Sequence, residues 1–336
     1  MTGWAWSREW RPAQKSLVLA TAILAVTFGS WAAAVPVTTS DLMNAAGNTS
    51  DWLMYSRSYD GHRYVELHQI TPANVHRLQA AWIFPTGGDN GGLEATPLIH
   101  DGVIYMSADE SRVFAIDARS GIKIWGFDPK LGSDLKRIYC CGSNNRGVAL
   151  HGGLVIVGTM DARLIALDKD TGAVVWETVV VDWHQGYSIT GAPLVVKDMV
   201  LTGVAGGEFG IRGFVKAFDA RTGTLRWTAY TIPGPGEPGN DSWPGDTWKN
   251  GGGSTWTTGT FDPDLNLVYW HVGNASPWNC RVRQGDNKWT AAAIALAETY
   301  PSHHLQLLTF ICSPDTRRRI DGCLQFRRSR GYDNPR

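Results

Sequence analysis

Three segments of this chain repeat one another in register: Ala115–Trp125 (AIDARSGIKIW), Ala166–Trp176 (ALDKDTGAVVW) and Ala217–Trp227 (AFDARTGTLRW), with tryptophans 51 residues apart both times. A fixed period of that size restricts the fold to units that bury their faces only against neighbours, as in propellers and solenoids. The content of each unit selects the propeller. Short β-rich runs such as Leu154–Val157, Leu164–Leu167 and Val174–Trp176 are punctuated by Asp, Gly and Ser/Thr turns, with no helical period between them. Within the motif, Asp and Ser/Thr make a side-chain-to-backbone turn and Gly takes the strained position. The tryptophan after the next strand is then placed to pack on the neighbouring blade. The expected fold is all-β, a β-propeller. Its 38 glycines and 16 tryptophans are largely blade punctuation.

The count of units is less than a large ring needs. Besides the three clear repeats there is a degenerate one leading to Trp82 and a partial one around Phe261–Val272. Propellers close with about 4–8 blades of four strands, and blades of this length suit the large ones. The sequence therefore encodes about half the blades of such a ring.

Both ends differ from the middle. Arg8, Arg11 and Lys15 precede an apolar run from Leu17 to Phe28, and Ala32–Ala34 offers a small-residue cleavage site. That layout predicts a signal peptide over 1–34, export to the periplasm, and no membrane span in the mature chain. Residues 35–290 form the propeller portion. From 291 to 336 the sequence turns basic, with seven basic and three acidic residues after Ser313, and every tryptophan lies at or before Trp289. A frame change or truncation near residue 290 accounts for this tail more simply than an arginine-rich binding arm. Lys+Arg and Asp+Glu tie at 31 each, so no global field favours nucleic acid.

Two local features carry chemistry. The step from Ser107 to Ala115 is eight residues, whereas the corresponding step from Gly203 to Ala217 is 14. The added Val204–Arg212 segment holds one carboxylate, Glu208, among glycines. It reads as a decorated hairpin or as a ligand loop with a hard-cation ligand. Cys140–Cys141 fits neither a zinc framework nor a haem attachment site. The two cysteines either bond to each other through a strained ring or pair with Cys280, Cys312 or Cys323.

Taken together, Cys140–Cys141 with Asn145–Gly147, the Gly206–Gly213 loop, Gly252–Trp256, Gly273–Asn279 and Gly285–Trp289 resemble the quinoprotein alcohol dehydrogenases, over about Asp51–Thr290. The resemblance implies an eight-bladed propeller, pyrroloquinoline quinone as cofactor, and Ca2+ or a lanthanide beside it. Cys140 and Cys141 would form a vicinal disulfide over one quinone face and Trp256 would stack on the other. Glu94, Arg146 and Thr190 would bond its carboxylates and carbonyls, with the backbone of Gly206 and Gly207 close by. Glu208 and Asn274 would ligate the metal. The alternative readings are a docking tryptophan for Trp256, a strand residue for Thr190, surface charges for Arg146 and Glu94, and a turn residue for Asn274.

The implied activity is oxidation of primary alcohols to aldehydes, with cytochrome c or a membrane quinone as electron acceptor. Gly158–Asp168 resembles the ethanol-type branch. The general base of the family, an aspartate downstream of Gly285–Trp289, has no match: Asp315, Asp321 and Asp333 lack its context, and no catalytic residue is assigned. Two competing expectations are a non-catalytic propeller scaffold and an inactive fragment that still binds quinone.

Overall fold

The structure is a computed structural model; it describes residues 35–88, 93–138, 140–297 and 305–306, all within the unit Ala34–Arg336. The expected signal peptide and nearly all of the basic tail lie outside these residues. Among the described residues sixteen strands form four sheets, each an antiparallel meander of four consecutive strands. Blade one is β1 (Leu98–His100), β2 (Val103–Ser107), β3 (Val113–Asp117) and β4 (Lys123–Phe127). Blade two is β5 (Ala149–His151), β6 (Leu154–Gly158), β7 (Arg163–Asp168) and β8 (Val174–Val179). Blade three is β9 (Leu194–Val196), β10 (Met199–Gly203), β11 (Phe214–Asp219) and β12 (Leu225–Tyr230). Blade four is β13 (Thr260–Asp262), β14 (Leu267–Val272), β15 (Ala292–Ala297) and β16 (Leu305–Gln306). The fourth blade therefore runs past residue 290, where the sequence had placed the end of the propeller. Ala292–Ala297 pairs residue for residue with β14 and buries Ala292, Ile294, Ala295 and Leu296.

The repeated motif does what its chemistry requires. Asp117 Oδ1 accepts from Ser120 N at 2.7 Å and Ser120 Oγ at 2.7 Å; Asp168 and Asp219 make the same turn with Thr171 and Thr222. Those bonds hold the Asp117 carboxyl below the usual range, led by the Ser120 hydroxyl, and Asp219 is lowered likewise, led by Arg226. Each turn then receives the tryptophan of the unit before it. Trp82 Nε1 donates to Ala118 O at 3.2 Å, Trp125 to Lys169 O at 3.0 Å, and Trp176 to Ala220 O at 3.2 Å. Gly121, Gly172 and Gly223, all near φ +72°, leave room for these rings: a Cβ there would sit 2.5–2.7 Å from ring carbons. Trp82 is thus the docking residue of a preceding unit, although no strand is found among described residues 61–88.

The first strand of blade three, β9, is wholly buried, whereas the fourth strands β4, β8 and β12 are largely exposed or half-buried, so the core lies inward. One apolar cluster runs through it from Val37 to Leu296, and a second gathers Ile156, Leu164, Val200, Phe214 and Phe218. The segment before blade one braces this core. Its helix α1 (Thr39–Met43) is closed by a reciprocal cap between Thr38 and Asp41. Val37 bridges Gly152, Trp52 bridges Ile99, Tyr59 Oη donates to Val195 O at 2.8 Å, and Thr260 Oγ1 bonds Tyr59 O. One strap thereby touches all four blades. Lys169 Nζ ties its start, donating to Val35 O at 2.6 Å beside His100 Nδ1 at 3.1 Å.

Candidate functional site

In an up-and-down four-stranded blade, the links between blades and the hairpin between second and third strands open at the same end. Every site residue named from the sequence falls on one of these connections. Glu94 precedes β1; Cys140, Cys141 and Arg146 lie on the β4–β5 link, Thr190 on β8–β9, and Trp256 on β12–β13. Glu208 lies in the β10–β11 hairpin and Asn274 in β14–β15. The Asp–Gly turns occupy the opposite end.

Arg146 is the hub of this mouth. Its Nη2 pairs with Glu94 Oε2 at 2.7 Å, and its Nη1 donates to Thr190 O at 3.3 Å. Its backbone N–H also reaches Thr190 O at 3.0 Å, and its own carbonyl accepts from Thr96 N at 3.1 Å. The guanidinium lies 4.8 Å from the centroid of the Trp256 ring, within cation–π reach. Thr190 Oγ1 lies 3.4 Å from Trp256 O, and Gly191 lets that carbonyl approach, since a Cβ there would meet it at 2.8 Å. The Trp256 ring remains 43% exposed. Its indole is therefore not one of the docking tryptophans, which are turned onto the adjacent blade.

The inserted Val204–Arg212 segment forms the second half of the mouth. Gly206 at φ +113° and Gly210 at φ +72° flank a single tight turn, Gly207–Phe209, that presents Glu208 outward. Glu208 faces Cys140. The Cys140 thiol is pushed up to about 12 by its hydrogen bond with Cys141, then by burial, then by the Glu208 carboxylate. Ser254 joins this loop to the Asn274 loop: a Cβ on Gly207 would lie 3.1 Å from Ser254 Oγ, and Ser254 O accepts from Gly273 N at 2.7 Å. Gly253 N donates to Asn274 O at 3.1 Å.

Cys140 and Cys141 stand side by side and exposed, their sulfurs 2.7 Å apart. Among described residues no group of three or more His, Cys, Asp or Glu side chains gathers as a metal site. Glu208 and Asn274 supply too few oxygens for the six to eight that Ca2+ takes, so a cation here needs further oxygens from a ligand. The donor set suits that arrangement. A forked cation, an uncovered indole face and glycine-lined backbone fit a flat, multiply anionic aromatic molecule whose own oxygens complete a cation shell. Asp315, Asp321, Asp333 and His303–His304 lie outside the described residues. Sequence reasoning quoted Arg212 as the end of the insertion and gave it no role, and it missed Tyr187 and Ser254. Their links to the loop join positions far apart in sequence, which no local pattern signals.

Fold and mouth together define a tryptophan-docked β-propeller with an aromatic and ionic binding face formed by its interblade links. The chain belongs to the family described as the PQQ glucose/ethanol/alcohol dehydrogenase β-propeller domain, whose model matches residues 52–299. It is 41% identical over 299 residues to the quinoprotein alcohol dehydrogenase PedH of Pseudomonas putida, covering 84% of this chain and 49% of the relative. It is 40% identical over 278 residues to a lanthanide-dependent methanol dehydrogenase of Methylacidiphilum fumariolicum, covering 76% of this chain and 45% of that one. A solved quinohemoprotein alcohol dehydrogenase, ADHIIG of Pseudomonas putida, superposes with a TM-score of 0.74 at 39% identity, over 79% of this chain and 41% of that chain. The chain spans about half the length of these relatives or less.

Proposed function

We propose that this chain carries the pyrroloquinoline quinone and cation site of a periplasmic dehydrogenase that oxidises primary alcohols, ethanol-type substrates foremost, to aldehydes. The observation that carries the reading is the placement of Glu94, Arg146, Thr190, Trp256, Glu208 and Asn274 on connections that open at one end of the blades. When bound, the quinone supplies an acceptor for hydride from the alcohol carbon, with Ca2+ or a lanthanide polarising its carbonyl.

The chain's own residues do the rest by binding and orientation. Trp256 offers the flat face on which the ligand lies. Arg146 directs its remaining N–H donors at carboxylates, while Glu94 at 2.7 Å fixes the guanidinium plane. Thr190 offers its hydroxyl, and Gly206 and Gly207 admit backbone at close range. Glu208 and Asn274 hold the cation against the ligand's oxygens. Cys140 and Cys141, exported to an oxidising compartment, would bond to each other and form the opposite wall. Electrons would leave to a cytochrome c or a membrane quinone. No helix among the described residues is long and apolar enough to cross a membrane.

Reconstitution tests the reading. With pyrroloquinoline quinone and Ca2+ or La3+ added, tryptophan fluorescence should be quenched saturably. Quenching should fail with Arg146→Ala. A chain that folds yet never binds the quinone would contradict the proposal.

A further inference from the structure

The loop that presents Glu208 is held on both sides: Ala205 bridges Ser188 before the turn, and Arg212 anchors the side that follows it. The residue is part of no blade: it follows the turn Gly207–Phe209 and precedes β11. Its guanidinium lies 3.8 Å from the Tyr230 ring centroid and 4.8 Å from that of Trp248. Nε donates to Ile232 O at 2.9 Å and Nη2 pairs with Glu237 Oε2 at 3.1 Å. These four partners belong to β12 and to the long 231–259 link, so the side chain pins the roof of the mouth. Its backbone does as much in the opposite direction. The Tyr187 hydroxyl accepts from Arg212 N at 3.1 Å and donates to Arg212 O at 3.2 Å, which ties in the link that carries Thr190. Arg212 also bridges Gly252, with Gly252 N donating to Ile211 O and Gly213 N to Gly252 O, both at 2.8 Å.

We propose that Arg212 is the positioning residue for Glu208, fixing the carboxylate where a cation can be shared with Asn274 and the bound ligand. The inference rests on the reading of Glu208 as a cation ligand. Glycines at 206 and 210 give the turn no stiffness of its own, so its orientation comes from the fixed residues on either side, Ala205 on Ser188 before it and Arg212, with the larger set of contacts, after it. Lysine cannot substitute, because a point charge lacks the planar fork that lies between Tyr230 and Trp248 while bonding Ile232 O. Groups that orient a metal ligand without touching the metal commonly set affinity by 10–100-fold.

The test uses Tb3+ as the probe with pyrroloquinoline quinone present throughout, its luminescence sensitised by the tryptophans of the mouth, together with hydrogen exchange. Arg212→Met and Arg212→Lys should each weaken Tb3+ binding about tenfold or more, and should speed exchange at the Phe209 amide. The Arg146 amide, bonded to Thr190 O across the mouth, should keep its protection. Where Arg212→Met does not fold, Tyr187→Phe removes only the bridging hydroxyl and should weaken Tb3+ several-fold with the same local exchange pattern. Unchanged Tb3+ affinity in folded variants, or lost protection extending to Arg146, would overturn the positioning role and leave the site reading intact. Absence of Tb3+ binding by the parent chain would instead overturn the cation reading, and this inference with it.

Discussion

Replacing Trp125 by alanine removes the docking contact between blades one and two. The side chain is 7% exposed, packs against Tyr105 with centroids 6.2 Å apart, and donates to Lys169 O at 3.0 Å. A buried tryptophan covers about 150–250 Å2; at about 25 cal/mol per Å2 the burial stabilises by about 5 kcal/mol as an upper bound. Measured truncations of this type cost about 3–5 kcal/mol. The indole hydrogen bond contributes about 1 kcal/mol of the effect. Trp125→Ala should therefore destabilise by about 4 kcal/mol, a large share of the 5–15 kcal/mol typical of a domain. In thermal unfolding that is a fall of about 10 °C. Trp125→Phe keeps most of the ring and loses the donor, so it should cost about 1–2 kcal/mol. Trp176→Ala removes a half-buried ring with the same bond to Ala220 O at 3.2 Å and should fall between them, near 2 kcal/mol. Calorimetry and urea melts of the three variants measure the order. Equal losses in all three, or Trp125→Phe as damaging as Trp125→Ala, would refute docking through ring burial.

Other consequences are equally direct. Gly172 and Gly102 share φ +73°, yet a Cβ at Gly172 meets the Trp125 ring at 2.7 Å while one at Gly102 meets nothing within 4 Å. Gly102→Ala should cost about 1 kcal/mol of backbone strain, and Gly172→Ala at least 1 kcal/mol more from the displaced ring, read from the same melts. His100 is held below its usual value by burial first and by Lys169 second, so the unfolded chain binds its proton more readily than the folded one. That stability is complete above about pH 6.5 and is lost as pH falls below it; His100→Asn should flatten the loss between pH 7 and 5. The Asp117 and Asp219 turns, with lowered carboxyls, fail separately, below about pH 4. Arg146→Lys should weaken quinone binding about 10–100-fold, because lysine keeps charge but loses the fork and the stack on Trp256; fluorescence titration reads this.

The blades were legible because each repeat contains its own turn and its own docking ring, so spacing alone revealed the interblade contact. Trp82 was legible for the same reason, although its unit has no strand among the described residues. Blade four was only partly so. Its β13–β14 hairpin is ordinary, but 19 residues of irregular chain, 273–291, separate β14 from β15. No Asp–Gly–Trp pattern marks Ala292–Ala297 as strand, and alanine has no strand preference of its own. The mouth was legible one residue at a time through resemblance, while its wiring was not. The Arg146–Glu94 pair joins residues 52 apart in sequence, and Arg212 joins two interblade links, through Tyr187 on one and Ile232, Glu237 and Gly252 on the other. Such contacts depend on where the blades bring their links together. The strap over residues 37–59 was invisible for the same reason: its contacts are single bridges and bonds to four different blades.

The central claim is that one end of this half-propeller holds a flat quinone and a cation at the residues named. A crystal structure of the chain soaked with pyrroloquinoline quinone and La3+, phased on the lanthanum, tests it most directly. The account predicts the quinone ring stacked on Trp256, its carboxylates on Arg146, and the lanthanum within bonding distance of the Glu208 carboxylate and the Asn274 side-chain oxygen. Lanthanum away from Glu208, or a quinone bound without contact to Trp256 and Arg146, would contradict it.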